Sequence, residues 1–275
     1  MTVTSQEPGP PRRTAPPRRS RPSPIALGIA GLIVALHVVA WNATGFSPAA
    51  LVAGWEGIAD FFDEALPPDL SWADVVKPSI DAAVVTLGIG LLGTTFSVPF
   101  ALVLALLAAR ATTRGSITYQ AARSVLSFLR AVPDVVFALV FVTAVGLGPF
   151  AGVLALVFHN TGVMGKLWAE AMEESDLGTR DALRVAGATR TQQAVHAVLP
   201  TTLPQLVGLL LYRFDVNVRS SLVLGLVGAG GIGFLINQSI KLFRFDEMVT
   251  HLLVVLALVI VVDQLSALIR RRLGA

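Results

Sequence analysis

The chain has 275 residues, 54% of them hydrophobic and 14% charged, a balance that a soluble domain of this size could not keep out of water. Cysteine is absent, which excludes a disulfide framework, a thiolate nucleophile and a cysteine-based metal site. The net charge of +3 does not point to nucleic acid, because the basic residues gather in the N-terminal tail, in short loops between apolar runs and in Arg270-Arg271-Arg272, as in the inward-facing parts of a membrane protein.

Residues 1–24 hold seven prolines and five arginines and no apolar run, so a disordered cytoplasmic tail is expected there. The run from Ile25 to Trp41 is about the shortest that spans a hydrocarbon core of roughly 30 Å. A secretory leader shows the same arginine-then-apolar order. No small-x-small cleavage site follows HVVAWNATG, so a retained anchor is expected. Residues 42–76 carry six acids (Glu56, Asp60, Asp63, Glu64, Asp69, Asp74) and no Lys or Arg, which suits the outer face.

A second apolar run, Ile80 to Ala109, is followed by Arg110, Arg114 and Arg123 with no acid among them, which places that loop inside. A third span is expected over Val125 to Val145 and a fourth, after the turn GLGPF, over Ala151 to Trp168. A fifth begins near Leu203 and a last covers Met248 to Ile269. Within a bilayer such segments are helices, because only a helix satisfies its own backbone over that length. Leu222 to Ile240 is apolar enough to cross, yet a crossing would carry Arg270 to Arg272 outside. A bend or re-entrant piece is expected in its glycine-rich part, which leaves Lys241 and Arg244 outside against the charge rule. The chain therefore reads as an all-α polytopic membrane protein of about six transmembrane helices with both termini cytoplasmic. It divides into the tail (1–24), a first helix with an acidic outer loop (25–78), and a core (79–272) with a cytoplasmic loop at 169–200.

That loop contains TRDALRVAGATRTQQAVHAVLP, residues 179–200, a polar interruption in an apolar chain. Thr179 can cap a short helix whose first turn holds Asp181, favourable at the positive end of the helix dipole. Ala182, Leu183, Val185 and Ala186 give it one small apolar face. Gly187 permits a sharp turn or a close backbone approach, Thr191 can start another helix, and Pro200 with Pro204 fixes the return into the membrane. The stretch resembles the cytoplasmic coupling loop of the permeases of binding-protein-dependent ABC importers: Asp181-Ala182-Leu183, then Gly187, then Leu199-Pro200. Asp181 stands where Glu is usual, Leu183 where Ala is usual, and Ala197 where Ile is usual. Three further blocks, residues 146–174, 199–221 and VLGLVGAGGIG at 223–233, are similar to the phosphonate-type branch of these permeases, which includes phosphite importers.

The resemblance covers roughly Ile80 to Arg272. It implies a methionine-importer-like permease fold in the bacterial inner membrane, a permease homodimer around one pathway, two cytoplasmic ATPase subunits and an extracytoplasmic solute-binding protein. It implies import of phosphonate, phosphite or a related phosphorus oxyanion by alternating access, with no catalysis and no cofactor in this chain. No G-x-x-x-x-G-K-[ST] loop occurs, so ATP and Mg2+ would be used by the partner ATPase.

Ionisable groups at membrane depth mark function or helix pairing. Asp215 and Arg219 lie four apart on one helical face, and Arg213 and Asn217 lie four apart beside them, so RFDVNVR offers more donors than one carboxylate can use. A spare cationic surface suits an oxyanion. His159 and Asn160 sit mid-span in the fourth helix and are either hydrogen-bonded packing or pathway lining. Snorkelling accounts for Arg130 near Pro133 and Asp134. GLVGAGGIG lies outside any strand-to-helix unit, so close packing through small residues is expected there. Two rivals remain: an ion-coupled secondary transporter using Asp215 or His159, against which the absence of an evident inverted repeat speaks, and an anchor protein with no pathway.

Overall fold

The computed structural model describes residues 23–113, 115–175 and 177–273, and among them every regular element is helical. The predicted tail up to residue 22, and Arg114, lie outside these residues. The chain divides into two compact units, one up to Ile58 and one from Ala59 onward.

In the first unit α1 (Pro24–Thr44) opens with Ser23, whose hydroxyl accepts the Ala26 N–H at 3.1 Å. Pro24 has no N–H to leave unpaired, and Gly45 ends the helix in the left-handed region at φ 60°. At about 1.5 Å per residue the helix is long enough for a hydrocarbon core, and none of its residues is buried. α2 (Pro48–Ala53) and the start of α3 (Trp55–Ala65) complete this unit.

The second unit holds the rest of α3 and the permease-like core. A π-helical turn, Trp72–Val76, leads into α4 (Lys77–Ala108), followed by α5 (Ser116–Ala131), α6 (Asp134–Val145) and α7 (Pro149–Glu174). Then come α8 (Leu177–Val185), α9 (Arg190–Gln193), a second π-helical turn (Ala194–Val198), α10 (Leu199–Leu226), α11 (Ile232–Lys241) and α12 (Phe245–Leu273). Among the described residues five helices are long and apolar enough to cross a membrane, or six if α5 and α6 together count as one bent span.

The third span expected over Val125 to Val145 contains a break, with α5 and α6 meeting at 84°. A residue before proline is pushed out of the helical region, and Val132, just before Pro133, is extended at φ −80°, ψ 121°. The expected bend within Leu222 to Ile240 is present. α10 stops at Leu226, the chain reverses through Gly228, Gly230 and Gly231, all at positive φ, and the ten residues of α11 reach only about half a hydrocarbon core. The helix runs unbroken from α9 through the π-helical turn into α10, with Pro200 in the first turn of α10 and Pro204 inside it.

α7 is the centre of the unit, packed against α4, α5, α6 and α10. Ala101, Ala105, Leu126, Met164, Trp168 and Met172 close around its C-terminal half, and Ile89, Ala155, Leu156, Leu224 and Ala229 around its N-terminal half. Small residues let the backbones approach where lipid gives no hydrophobic drive for association. A Cβ on Gly162 would stand 2.6 Å from the Arg130 amide nitrogen, and one on Gly93 2.6 Å from the Leu156 Cβ. Phe96 and Phe100 on α4 and Leu253, Leu256 and Val261 on α12 stay exposed, a surface that suits acyl chains.

Candidate functional site

The polar passage between α7 and α10 folds as two short helices. α8 begins at Leu177, so Thr179 lies inside it rather than capping it, and Asp181 sits in its middle. Asp181 Oδ1 is 3.8 Å from Arg184 Nη1, a loose pair between exposed side chains. Gly187, at φ 81°, closes α8: its N–H donates to Arg184 O at 3.1 Å and the Ala188 N–H to Leu183 O at 3.0 Å. These two bonds form a Schellman turn, which requires the left-handed residue that glycine supplies. Among the described residues nothing lies within 4 Å of a Cβ built at Gly187, so of the sharp turn and the close approach that the sequence allowed here, the structure shows the turn.

The cap of α9 is Thr189, not Thr191. The Thr189 hydroxyl accepts the Gln192 N–H, and Gln192 Oε1 accepts the Thr189 N–H at 2.8 Å, a reciprocal capping box. Ala182, Val185 and Ala186 are exposed, Val185 to 90%, while Leu183 is half-buried. The apolar face of α8 is thus largely open. Leu199 packs against the core around α7, Pro200 is exposed in the first turn of α10, and Ala197 is buried.

The candidate pathway residues fall into two groups. Arg213 on α10 is buried, its Nε donating to Asn160 Oδ1 on α7 at 2.9 Å and its Nη2 to Asn217 Oδ1 at 3.1 Å. Each amide then passes its donor to α4: Asn160 Nδ2 to Ser97 Oγ at 2.6 Å, Asn217 Nδ2 to Thr94 Oγ1 at 2.8 Å. Those hydroxyls donate in turn to backbone carbonyls, Ser97 to Thr94 O and Thr94 to Gly90 O. Three helices are joined by one buried network in which both amides are used in both senses. Asn160 and Asn217 are wholly inaccessible, with Asn160 Nδ2 also 2.9 Å from Met164 Sδ, so in this structure both amides face packed helices.

Asp215 and Arg219 do form the expected ion pair along α10, through Asp215 Oδ2 and Arg219 Nη2. Their exposure is unequal: the Arg219 side chain is half exposed, whereas Asp215 is buried and its Oδ1 has no hydrogen-bond partner among the described residues. His159 is half-buried and donates from Nδ1 to Val132 O at 3.0 Å, the carbonyl beside the break between α5 and α6. The glycine-rich turn packs closely as expected, since a Cβ on Gly225 would meet Gly230 O at 2.7 Å and Gly233 Cα at 2.8 Å. Its Ile232 N–H is taken by Thr86 Oγ1 at 2.9 Å, leaving that donor unavailable to an anion.

Two polar links escaped the sequence. Thr94 and Ser97 looked like ordinary small residues in an apolar run, and Ser79 and His251, whose Oγ and Nδ1 lie 2.7 Å apart, join α4 to α12 over 172 residues. Arg244, expected outside against the charge rule, is paired at 3.1 Å with Glu247 in the first turn of α12.

Residues 101–275 match the model of the binding-protein-dependent transport system inner membrane component. The chain belongs to that family. It is 40% identical to the phosphite transport system permease protein PtxC of Stutzerimonas stutzeri, over 89% of this chain and 88% of the relative. It is 38% identical to the phosphate-import permease protein PhnE of Mycolicibacterium smegmatis, over 85% of this chain and 43% of that longer protein. Among solved structures, an inward-facing MetNI methionine ABC transporter chain superposes with a TM-score of 0.58 at 24% identity, over 72% of this chain and 95% of the other. This permease is accordingly a multi-pass inner-membrane subunit of a binding-protein-dependent ABC importer, with the methionine-importer-like fold, and its partners include an ATPase and a solute-binding protein.

Proposed function

We propose that the permease carries phosphite, a phosphonate or a related phosphorus oxyanion inward by alternating access. The observation that carries this reading is the 40% identity to a phosphite permease over nearly the whole of both chains. Two copies of the permease form the pathway, a binding protein delivers the solute from outside, and two cytoplasmic ATPase subunits hydrolyse ATP with Mg2+. The α8–α9 end faces the cytoplasm, together with both termini, and the open apolar face of α8 beside Asp181, Ala182 and Gly187 seats in the ATPase.

Within α10 the pathway role narrows to Arg219, with Asp215 restraining it. Arg219 keeps half of its side chain open, and a diffuse donor of this kind favours passage over capture. Arg213, Asn160 and Asn217 hold α10 against α7 and α4, and His159 holds the break between α5 and α6.

The test is reconstitution of the permease with its ATPase and binding protein in proteoliposomes, supplying phosphite, methylphosphonate, phosphate and sulfate in turn. Uptake of a phosphorus oxyanion that requires internal or external ATP on the ATPase side, and no uptake of sulfate, is the expected result. Uptake driven by a proton or sodium gradient without ATP would support the ion-coupled transporter instead.

A further inference from the structure

Three arginines from three elements meet at the end of the core from which α8 and α9 project. Arg110 follows α4 by two residues, Arg123 lies on α5, and Arg190 opens α9. The guanidiniums of Arg110 and Arg123 stand 5.1 and 5.0 Å from the centroid of the Tyr119 ring. One carboxylate answers them. Glu173 Oε2 accepts from Arg123 at 2.8 Å, and its Oε1 is occupied by the Arg110 backbone N–H at 2.9 Å. Arg190 Nη1 donates to the Thr113 carbonyl at 2.8 Å, which fixes its position without neutralising it. Among the described residues no carboxylate lies within 4.0 Å of the Arg110 or Arg190 guanidinium.

Between Arg110 and Arg190 lies a polar cleft of about 270 Å3, floored by Gly115, Ser116 and Gln120. α5 starts in this floor, and its N-cap Gly115 offers no side-chain acceptor to the first-turn N–H groups. Guanidiniums with planar donor forks select a phosphoryl group. The surroundings select its carrier. The cleft begins where the apolar α4 ends, Ile117 beside it is 86% exposed, and α4 and α5 also wall an apolar groove of about 860 Å3 that includes Phe100, Leu104, Val125 and Leu129. A free anion has no use for that apolar surface. Basic pockets between spans at a membrane boundary are suited to anionic lipid headgroups.

We propose that the cleft bounded by Arg110, Tyr119 and Arg190 binds the phosphoryl group of an anionic phospholipid. Such a lipid bridges the α4–α5 turn and α9, and so tethers the segment assigned to ATPase docking to the membrane surface. The lipid site stands apart from the cargo: a wrong cargo assignment leaves it intact.

The purified full-length permease is exchanged into mixed phosphatidylglycerol and phosphatidylcholine nanodiscs, and the lipid retained after transfer to detergent is read by native mass spectrometry. Retention of phosphatidylglycerol over phosphatidylcholine by on the order of tenfold is expected, from two arginines without a carboxylate partner among the described residues. The double variant R110Q/R190Q loses that preference while its elution volume stays that of the parent. The control R184Q, an exposed arginine of α8, keeps it. Equal retention in parent and double variant overturns the proposal. Displacement of the lipid by millimolar inorganic phosphate assigns the cleft to a soluble anion, and displacement by added ATPase subunits assigns it to a protein interface; either result overturns the lipid assignment.

Discussion

Arg213 Nε donates to Asn160 Oδ1 at 2.9 Å, tying the middle of α10 to the middle of α7 through a buried guanidinium that has no carboxylate within 4.0 Å among the described residues. A buried charge answered by amide dipoles depends on each of them, because removing one acceptor leaves donors without partners in a low dielectric.

Asn160→Ala is therefore expected to destabilise the purified permease by about 1–3 kcal/mol, the cost of an unsatisfied buried group. Asn160→Asp retains the acceptor for Arg213 and should recover most of the loss, although it gives up the bond to Ser97. Thermal unfolding in one detergent checks both. An unaltered Tm in Asn160→Ala, combined with reduced uptake, would return Asn160 to the pathway.

Gly187 carries its role in its backbone. At φ 81° a branched residue is strained, and the left-handed region costs an ordinary residue roughly 1–2 kcal/mol. Gly187→Val should lose transport with normal membrane levels, since the Schellman turn that sets the angle between α8 and α9 is disfavoured. Gly187→Asn, which tolerates the left-handed region, should keep most of it. Equal loss in both variants would point instead to contact with the partner at this position, since space around the residue is open within the chain.

Gly162 and Gly88 make a matched pair on crossing helices. A Cβ at Gly162 meets the α5 backbone, whereas one at Gly88 meets nothing within 4 Å. Gly162→Val should reduce folded yield sharply, and Gly88→Ala should be neutral or stabilise by up to about 1 kcal/mol through lower backbone entropy in the unfolded chain. Fluorescence-detected size exclusion on both variants separates the two outcomes.

The helical spans were legible because apolar runs of that length leave the backbone one solution in a bilayer. The coupling segment was legible in outline from Asp181, Gly187 and Leu199-Pro200. The cap of α9 was misplaced by two residues, since Thr189 and Thr191 are equally good candidates and only the reciprocal Gln192 bond selects Thr189, and α8 begins before Thr179. The 84° break at Val132-Pro133 was marked in the sequence only by Pro133 between Arg130 and Asp134, and snorkelling near the end of a span accounted for that arginine equally well. The division between core and pathway polar groups was not legible. RFDVNVR shows which residues share a face of α10, whereas the partners that use Arg213 and Asn217 lie 53 and 123 residues away on α7 and α4.

The Asp215–Arg219 pair supplies the sharpest test of the pathway. A doubly charged oxyanion crossing a low-dielectric interior needs compensation, because an unpaired ion there costs several kcal/mol. Arg219 is the half-exposed cation of α10, and Asp215, buried with Oδ1 unpartnered, depends on it for its bond at Oδ2. Arg219→Gln should lower maximal uptake in reconstituted vesicles even at saturating binding protein. Arg219→Lys should retain part of it, since charge persists without the planar fork. Two causes could produce the loss in Arg219→Gln: a missing cation for the cargo, or a stranded buried carboxylate that distorts α10. Adding Asp215→Asn removes the stranded charge and leaves the cargo uncompensated. If Arg219 serves the cargo, the double variant recovers thermal stability while uptake stays low. If uptake returns along with stability, the pair only holds α10 in place and the cargo's charge is met elsewhere.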